Sequence, residues 1–116
     1  MADEYTNQQK ILIQRLNDSF RQSFAGGRVL LTPGVQELGS DSIPDLLGRI
    51  QTYPAAKFDS GNDPYGEHDF GSLEYMGTKY FWKIDYYDTN LEFHADNPAD
   101  SSLTRRVMTI MRADEY

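Results

Sequence analysis

The chain contains no cysteine. That removes disulfide staples, thiolate zinc sites and thiol nucleophiles together, and leaves packing alone to hold the fold. It is also short of cations, with 11 Lys and Arg against 18 Asp and Glu and a formal net charge of −7 at pH 7. A protein that grips a phosphate backbone needs a basic face to displace counterions, so direct nucleic-acid binding is disfavoured. No apolar run approaches the roughly 20 residues that cross a bilayer, and the polar opening MADEYTNQQK does not read as a leader. The expectation is a soluble, cytoplasmic protein with no membrane partner. HExxH, P-loop and GxSxG motifs are missing. A calcium loop counted from Asp59 fails as well, with Pro64 where the turn needs glycine and Phe70 where a bidentate glutamate belongs. No cofactor and no resident metal are expected.

What is present suits a globular protein: 39% of the residues are hydrophobic, 13% aromatic and 25% charged. The 116 residues make one domain, 1–116, because cored domains run to roughly 100–150 residues. Thr6-Asn7-Gln8-Gln9 matches a capping box, and Leu12, Ile13, Leu16, Phe20 and Phe24 recur at helical spacing, so a helix is predicted over about 7–24, closed by Ala25-Gly26-Gly27. Arg28 to Thr32 reads as a buried strand stopped by Pro33-Gly34. Leu46, Leu47, Ile50 and Tyr53 form one stripe of a second helix over about 43–53, with Pro44 in its first turn. Residues 59–69, DSGNDPYGEHD, are turn formers throughout. Phe70–Met76 and Lys79–Tyr87 flank Gly77-Thr78 as a hairpin, and large side chains on both faces of the second strand make it central. Leu91 to His94 is read as a short strand. Residues 103–112 fit both helix and alternation, and the crowding of Val, Thr and Ile tips them to strand. The predicted fold is α+β, an antiparallel β-sheet with two α-helices packed on one face.

The negative charge is local. Residues 1–58 carry six acids and six bases, residues 101–116 carry a net +1, and residues 59–100 carry ten acids against Lys79 and Lys83 alone. That middle segment also holds both histidines and the only tryptophan. With Asp85 and His94, the stretch NDPYGEHDFG supplies the inventory of a hard or borderline metal site or of a histidine–carboxylate acid–base pair. On an extended chain Glu67 and Asp69 share a face and His68 turns away. The bland alternative is a loop stapled by its own polar groups, with Asp63 bonding nearby amides, His68 bridging a carboxylate such as Asp69 and Phe70 plugging the core. Tyr86 and Tyr87 cannot both be buried on one face, and Arg105-Arg106 read as surface countercharges.

NDPYGEHDFG, followed by YFWKIDYYD and the tail RRVMTIMRADEY, resembles a family of small bacterial proteins of unknown function. The resemblance runs from ILIQRLNDSFR through GGRVLLTPGV to the terminal DEY, with positions 35–57 less family-like. It implies a common fold and a cytoplasmic role associated with plasmids, phages and genomic islands, and assigns no catalytic residue. Two functional expectations follow. The first is an acidic protein-binding module, an inhibitor or regulator of the DNA-mimic or anti-CRISPR kind, that docks on a basic, nucleic-acid-handling protein. Its candidate contacts are Asp59, Asp63, Glu67, Asp85, Asp88, Glu92, Asp96 and Asp100, with Tyr65, Tyr86 and Tyr87 as anchors. The second is a metal-assisted hydrolase or nuclease using His68, Asp69, Asp85 and His94. Binding ranks above catalysis, because a segment of net −8 offers no cation to substrate phosphate.

Overall fold

A computed structural model describes residues 6–59 and 61–116. The capping box forms as the sequence requires: the Gln9 amide donates to Thr6 Oγ1 and the Thr6 amide to Gln9 Oε1, opening α1 over Asn7–Ser23. The helix closes on Phe24, which itself takes the left-handed conformation at φ 58°, two residues before the first of the glycines expected to do so. Strand β1 is Gly27–Leu31. Pro33 then starts a helical turn, α2 (Pro33–Gln36), where proline loses nothing because an N1 amide has no intrahelical partner. Helix α3 covers Gly39–Gln51 and places Pro44 beyond its first turn. It begins earlier than its apolar stripe because α2 hands the chain on through Leu38, already helical at φ −64°.

Strands β2 (Phe70–Tyr75) and β3 (Thr78–Tyr87) form the predicted hairpin. Its two-residue turn is Met76-Gly77, at φ 51° and 81°, one position before the expected pair. Both residues take positive φ, the geometry whose twist matches the strands. Residues 105–112 are strand β4 (Arg105–Arg112), and a single turn of 3-10 helix, Ala113–Glu115, follows. Leu91–His94 does not form a strand and contributes one bridge, Tyr87 to His94.

The fold is α+β, and the sheet order is β1-β4-β3-β2. The β2–β3 and β3–β4 pairs are antiparallel, as expected; β1 joins β4 in parallel. The chain returns to β1 only after the hairpin, and it arrives running the same way. Alternation then sorts β2 and β3, whereas β4 is buried on both faces, with Val107 and Met111 on the far one. Tyr80, Trp82, Ile84 and Tyr86 of β3 are buried beside Met108 and Ile110 of β4, and with Ile13, Phe20, Val35, Leu46 and Ile50 from the helices they form the core. The other sheet face carries Phe81, Lys83, Asp85 and Tyr87. Phe70 also lies there, 5.1 Å from Phe81 between ring centroids, so it does not plug the helix-side core. Gly71 is obligatory: a Cβ at this position would collide with the Trp82 indole.

A carboxylate-lined cavity as the candidate site

Four side chains spaced along one face of α1 hold the loop before β2. Gln14 Nε2 donates to the Gly66 carbonyl at 3.0 Å, Asn17 Nδ2 to the Glu67 carbonyl at 3.0 Å, and Asp18 bonds His68 Nδ1 at 2.9 Å. Arg21 holds Asp18 in place at 2.8 Å. Positions 14, 17, 18 and 21 share a face because a helix turns every 3.6 residues. The loop also staples itself: Asp59 Oδ1 accepts from the Gly61 and Asn62 amides, and buried Asp63 accepts from the His68 amide.

His68 is committed to this anchoring. Its ring stacks on Phe58 at 3.9 Å and 7°, with Asp18 at one nitrogen and Asp63 Oδ2 3.8 Å from the other. It bridges Asp18 and Asp63, not Asp69. Its backbone sits at φ 58°, a costly conformation for a non-glycine residue that these contacts sustain.

The turn at His68 leaves Glu67 and Asp69 on the other side of the loop, facing Tyr86. The Tyr86 hydroxyl lies 3.0 Å from Glu67 Oε1 and 3.3 Å from Asp69 Oδ2, and it accepts from Asn17 Nδ2 at 2.8 Å. One hydroxyl proton serves two carboxylates. Behind this set, Arg106 donates from Nε to Asn17 Oδ1 and from Nη2 to the Pro98 carbonyl, both at 2.6 Å, and its guanidinium lies 5.2 Å from the Tyr86 ring centroid. In front is a cavity of about 370 Å³, lined by Tyr65, Glu67, Asp69, Tyr86, His94 and Asp96 and walled by Gln9 and Ile13 of α1. Among the described residues no Lys or Arg lines it.

The electrostatics follow from burial and like charge. Asp69 is raised to about 6, first by burial and then by Glu67 and Asp63, against the Tyr86 hydrogen bond. Tyr86 is pushed far above its usual value by burial and then by Asp69 and Glu67, so it stays a hydroxyl. Burial lowers Arg106, opposed by Tyr86 and Glu67.

The shift on Asp69 has a measurable consequence. Its folded-state value lies above its unfolded one, so the folded protein keeps a proton that the unfolded chain has lost. Stability from this group therefore falls as pH rises from roughly 4 to 6, and the penalty is complete above 6. Asp69→Asn removes the charge and keeps the hydrogen-bonding shape. It is expected to stabilise the protein by about 1–2 kcal/mol at pH 7.5, a figure discounted for partial exposure, and by close to nothing at pH 4. Urea midpoints at the two pH values check this, and an equal gain at both would show that Asp69 is not the titrating group.

The candidate residues separate into groups. Tyr65, Glu67, Asp69, Tyr86, His94 and Asp96 meet at the cavity. Asp85 lies on the opposite sheet face, 3.1 Å from Lys83, because it alternates with Tyr86. His94 packs edge-on against Tyr86 and bonds the Ala95 carbonyl. The four residues of the metal-assisted reading, His68, Asp69, Asp85 and His94, thus do not converge, and among the described residues no three His, Asp or Glu side chains form a metal-binding group. Asp59, Asp88 and Asp100 cap turns through amides of residues 61–62, 90 and 92, and 102. Asp63 and Tyr86 are buried, so neither is a surface contact; Tyr87 is half-buried and Glu92 exposed.

Sequence reasoning missed Asn17, Asp18 and the burial of Arg106, which is 5% exposed. Arg105 is exposed, as expected of a surface countercharge. The signal for Arg106 was its parity with Met108 and Ile110, readable only once residues 105–112 are fixed as a strand.

Residues 31–115 match the family described as a protein of unknown function, DUF3768. The chain belongs to that family. No curated protein and no solved structure matches it. The DUF3768 match includes the 62–69 loop, Tyr86, His94, Asp96 and Arg106, which is every element of the cavity except the side chains of α1 that wall it and hold the loop.

Proposed function

We propose that this DUF3768 protein is a small acidic protein-binding module that docks on a basic, nucleic-acid-handling partner and acts as its inhibitor or regulator. A bacterial, mobile-element setting such as a phage or plasmid, and a cytoplasmic location, belong to the same proposal. One observation carries it: Glu67, Asp69 and Asp96 line a single cavity with Tyr65, Tyr86 and His94, and among the described residues no Lys or Arg lines it. Such a concavity suits an arginine or lysine side chain, with carboxylates for the charge and tyrosine rings for the stem. Asp96 is exposed and has no hydrogen-bonding partner among the described residues. Tyr65 is 72% exposed beside it.

The docking reading therefore narrows from a whole acidic segment to the mouth of this cavity. The test is capture of partners from the native host by the full chain at low and high salt, in parallel with Asp96→Lys and Tyr65→Ala. A basic nucleic-acid-handling protein retained at low salt and released at high salt is expected, with retention falling about tenfold in Asp96→Lys through like-charge repulsion. Retention unchanged by both substitutions would overturn the assignment of the cavity.

A further inference from the structure

The second cavity of interest lies at the end of the sheet where β1 and β4 start and β3 finishes. It has a volume of about 330 Å³ and is lined by Gly26, Gly27, Arg28, Thr89, Arg105 and Arg106. The geometry points to this cavity as a binding site for a phosphate group, supplied by a small phosphomonoester or by inorganic phosphate.

The lining contains three arginines and no carboxylate. In a chain with 18 acids and 11 bases, most cations have carboxylates to choose from. Even so, among the described residues neither Arg28 nor Arg105 has an ion-pair partner, while Arg106 commits its guanidinium to Asn17 and Pro98. Asp88, the acid next to Thr89 in the chain, spends Oδ1 on the Asn90 and Glu92 amides. Asp85, two positions from Tyr87 on the same face, is held by Lys83 at 3.1 Å.

The backbone places the donors. Parallel pairing sets Gly27 against Arg106 and Arg28 against Val107, so Arg28 and Arg105 leave neighbouring strands on the same face. Arg105 lies one strand across and two residues before Val107, the partner of Arg28, so the two backbones are about 8 Å apart, a separation that two long guanidinium side chains bridge to reach different oxygens of one tetrahedral anion. Gly26 stands at φ 87° with open space where a Cβ would be, and its amide has no partner among the described residues. The Thr89 hydroxyl adds a donor of the kind phosphate oxygens accept. A planar carboxylate would occupy one fork; a phosphate dianion has oxygens for both arginines and for the Gly26 amide.

The docking proposal uses neither Arg28 nor Arg105, so failure of this site would leave it standing. The experiment is a titration of the full chain with inorganic phosphate, followed by backbone amide NMR, with chloride adjusted to hold ionic strength constant. A parallel arm uses adenosine monophosphate. Saturable shifts centred on Gly26, Gly27 and Thr89 are expected, with a dissociation constant on the order of 1 mM. They should weaken by about tenfold or more in the Arg28→Gln, Arg105→Gln variant as the forks are lost. Both side chains are exposed, so the variant's own spectrum will report an intact fold, and Arg105→Gln alone provides a milder second variant. Tighter binding of the nucleotide assigns the site to a phosphomonoester, and equal binding assigns it to the free anion. Linear, unsaturating shifts, or shifts unchanged in the double variant, would overturn the proposal.

Discussion

Trp82→Ala will cost about 3–5 kcal/mol, the range for truncating a buried tryptophan to alanine. The indole is fully buried, with Tyr53 edge-on at 5.3 Å, Phe58 at 5.9 Å and the Arg21 guanidinium 5.7 Å from its ring centroid. Gly71 has no side chain with which to fill the space. A small domain holds only about 5–15 kcal/mol in total, so this one change consumes a large share. It also reaches the cavity, because Phe58 carries the His68 ring and His68 fixes the turn that aims Glu67 and Asp69. Trp82→Phe separates volume from chemistry. The indole Nε1 is buried with no hydrogen-bond partner, a defect worth about 1–3 kcal/mol, so phenylalanine recovers part of what it loses in area and should cost less than about 2 kcal/mol. Urea unfolding followed by far-UV circular dichroism measures both, and a Trp82→Ala protein within about 1 kcal/mol of the parent would contradict the packing described.

Local chemistry made some of this architecture readable and hid the rest. The capping box at Thr6 and the 3.6-residue period of Ile13, Leu16 and Phe20 are short-range signals, and α1 forms where they place it. The hairpin and the central position of β3 are written in alternation, and both are present. Glu67 and Asp69 share one side of the chain with His68 turned away, as expected, but the left-handed turn at His68 produces this and not the parity of an extended strand. The parallel partnership of β1 with β4 links residues almost eighty positions apart, and no local pattern encodes it. Met76 in a positive-φ turn is a tertiary outcome that overrides residue preference. Convergence of the acids was the least legible feature. Whether Asp85 joins Asp69 depends on a one-residue parity, and whether Asp59, Asp88 or Asp100 is free depends on which amides lie within reach.

Arg106→Met should destabilise the protein by about 2–5 kcal/mol and loosen both walls of the acidic cavity at once. Methionine matches much of the volume, so the cost lies in the bonds. Asn17 Oδ1 and the Pro98 carbonyl each lose a 2.6 Å donor, and a buried acceptor left unpaired costs about 1–3 kcal/mol. Pro98 ends the short segment that brings Asp96 and Asn97 to the cavity. Asn17 holds Glu67 through its carbonyl and Tyr86 through its hydroxyl. Arg106 therefore ties the Asp96 wall to the Glu67–Asp69 wall through Asn17. Arg106→Lys keeps the charge but offers no planar fork to serve two acceptors at an angle, so it should fall between the parent and Arg106→Met in stability. A double-mutant cycle with Asn17→Ala tests the connection. If the two residues act as one unit, the second substitution adds far less than it costs alone, with a coupling of about 1–3 kcal/mol. Strict additivity would mean that the two walls are held separately, with Arg106 supporting the Asp96 wall through Pro98 alone.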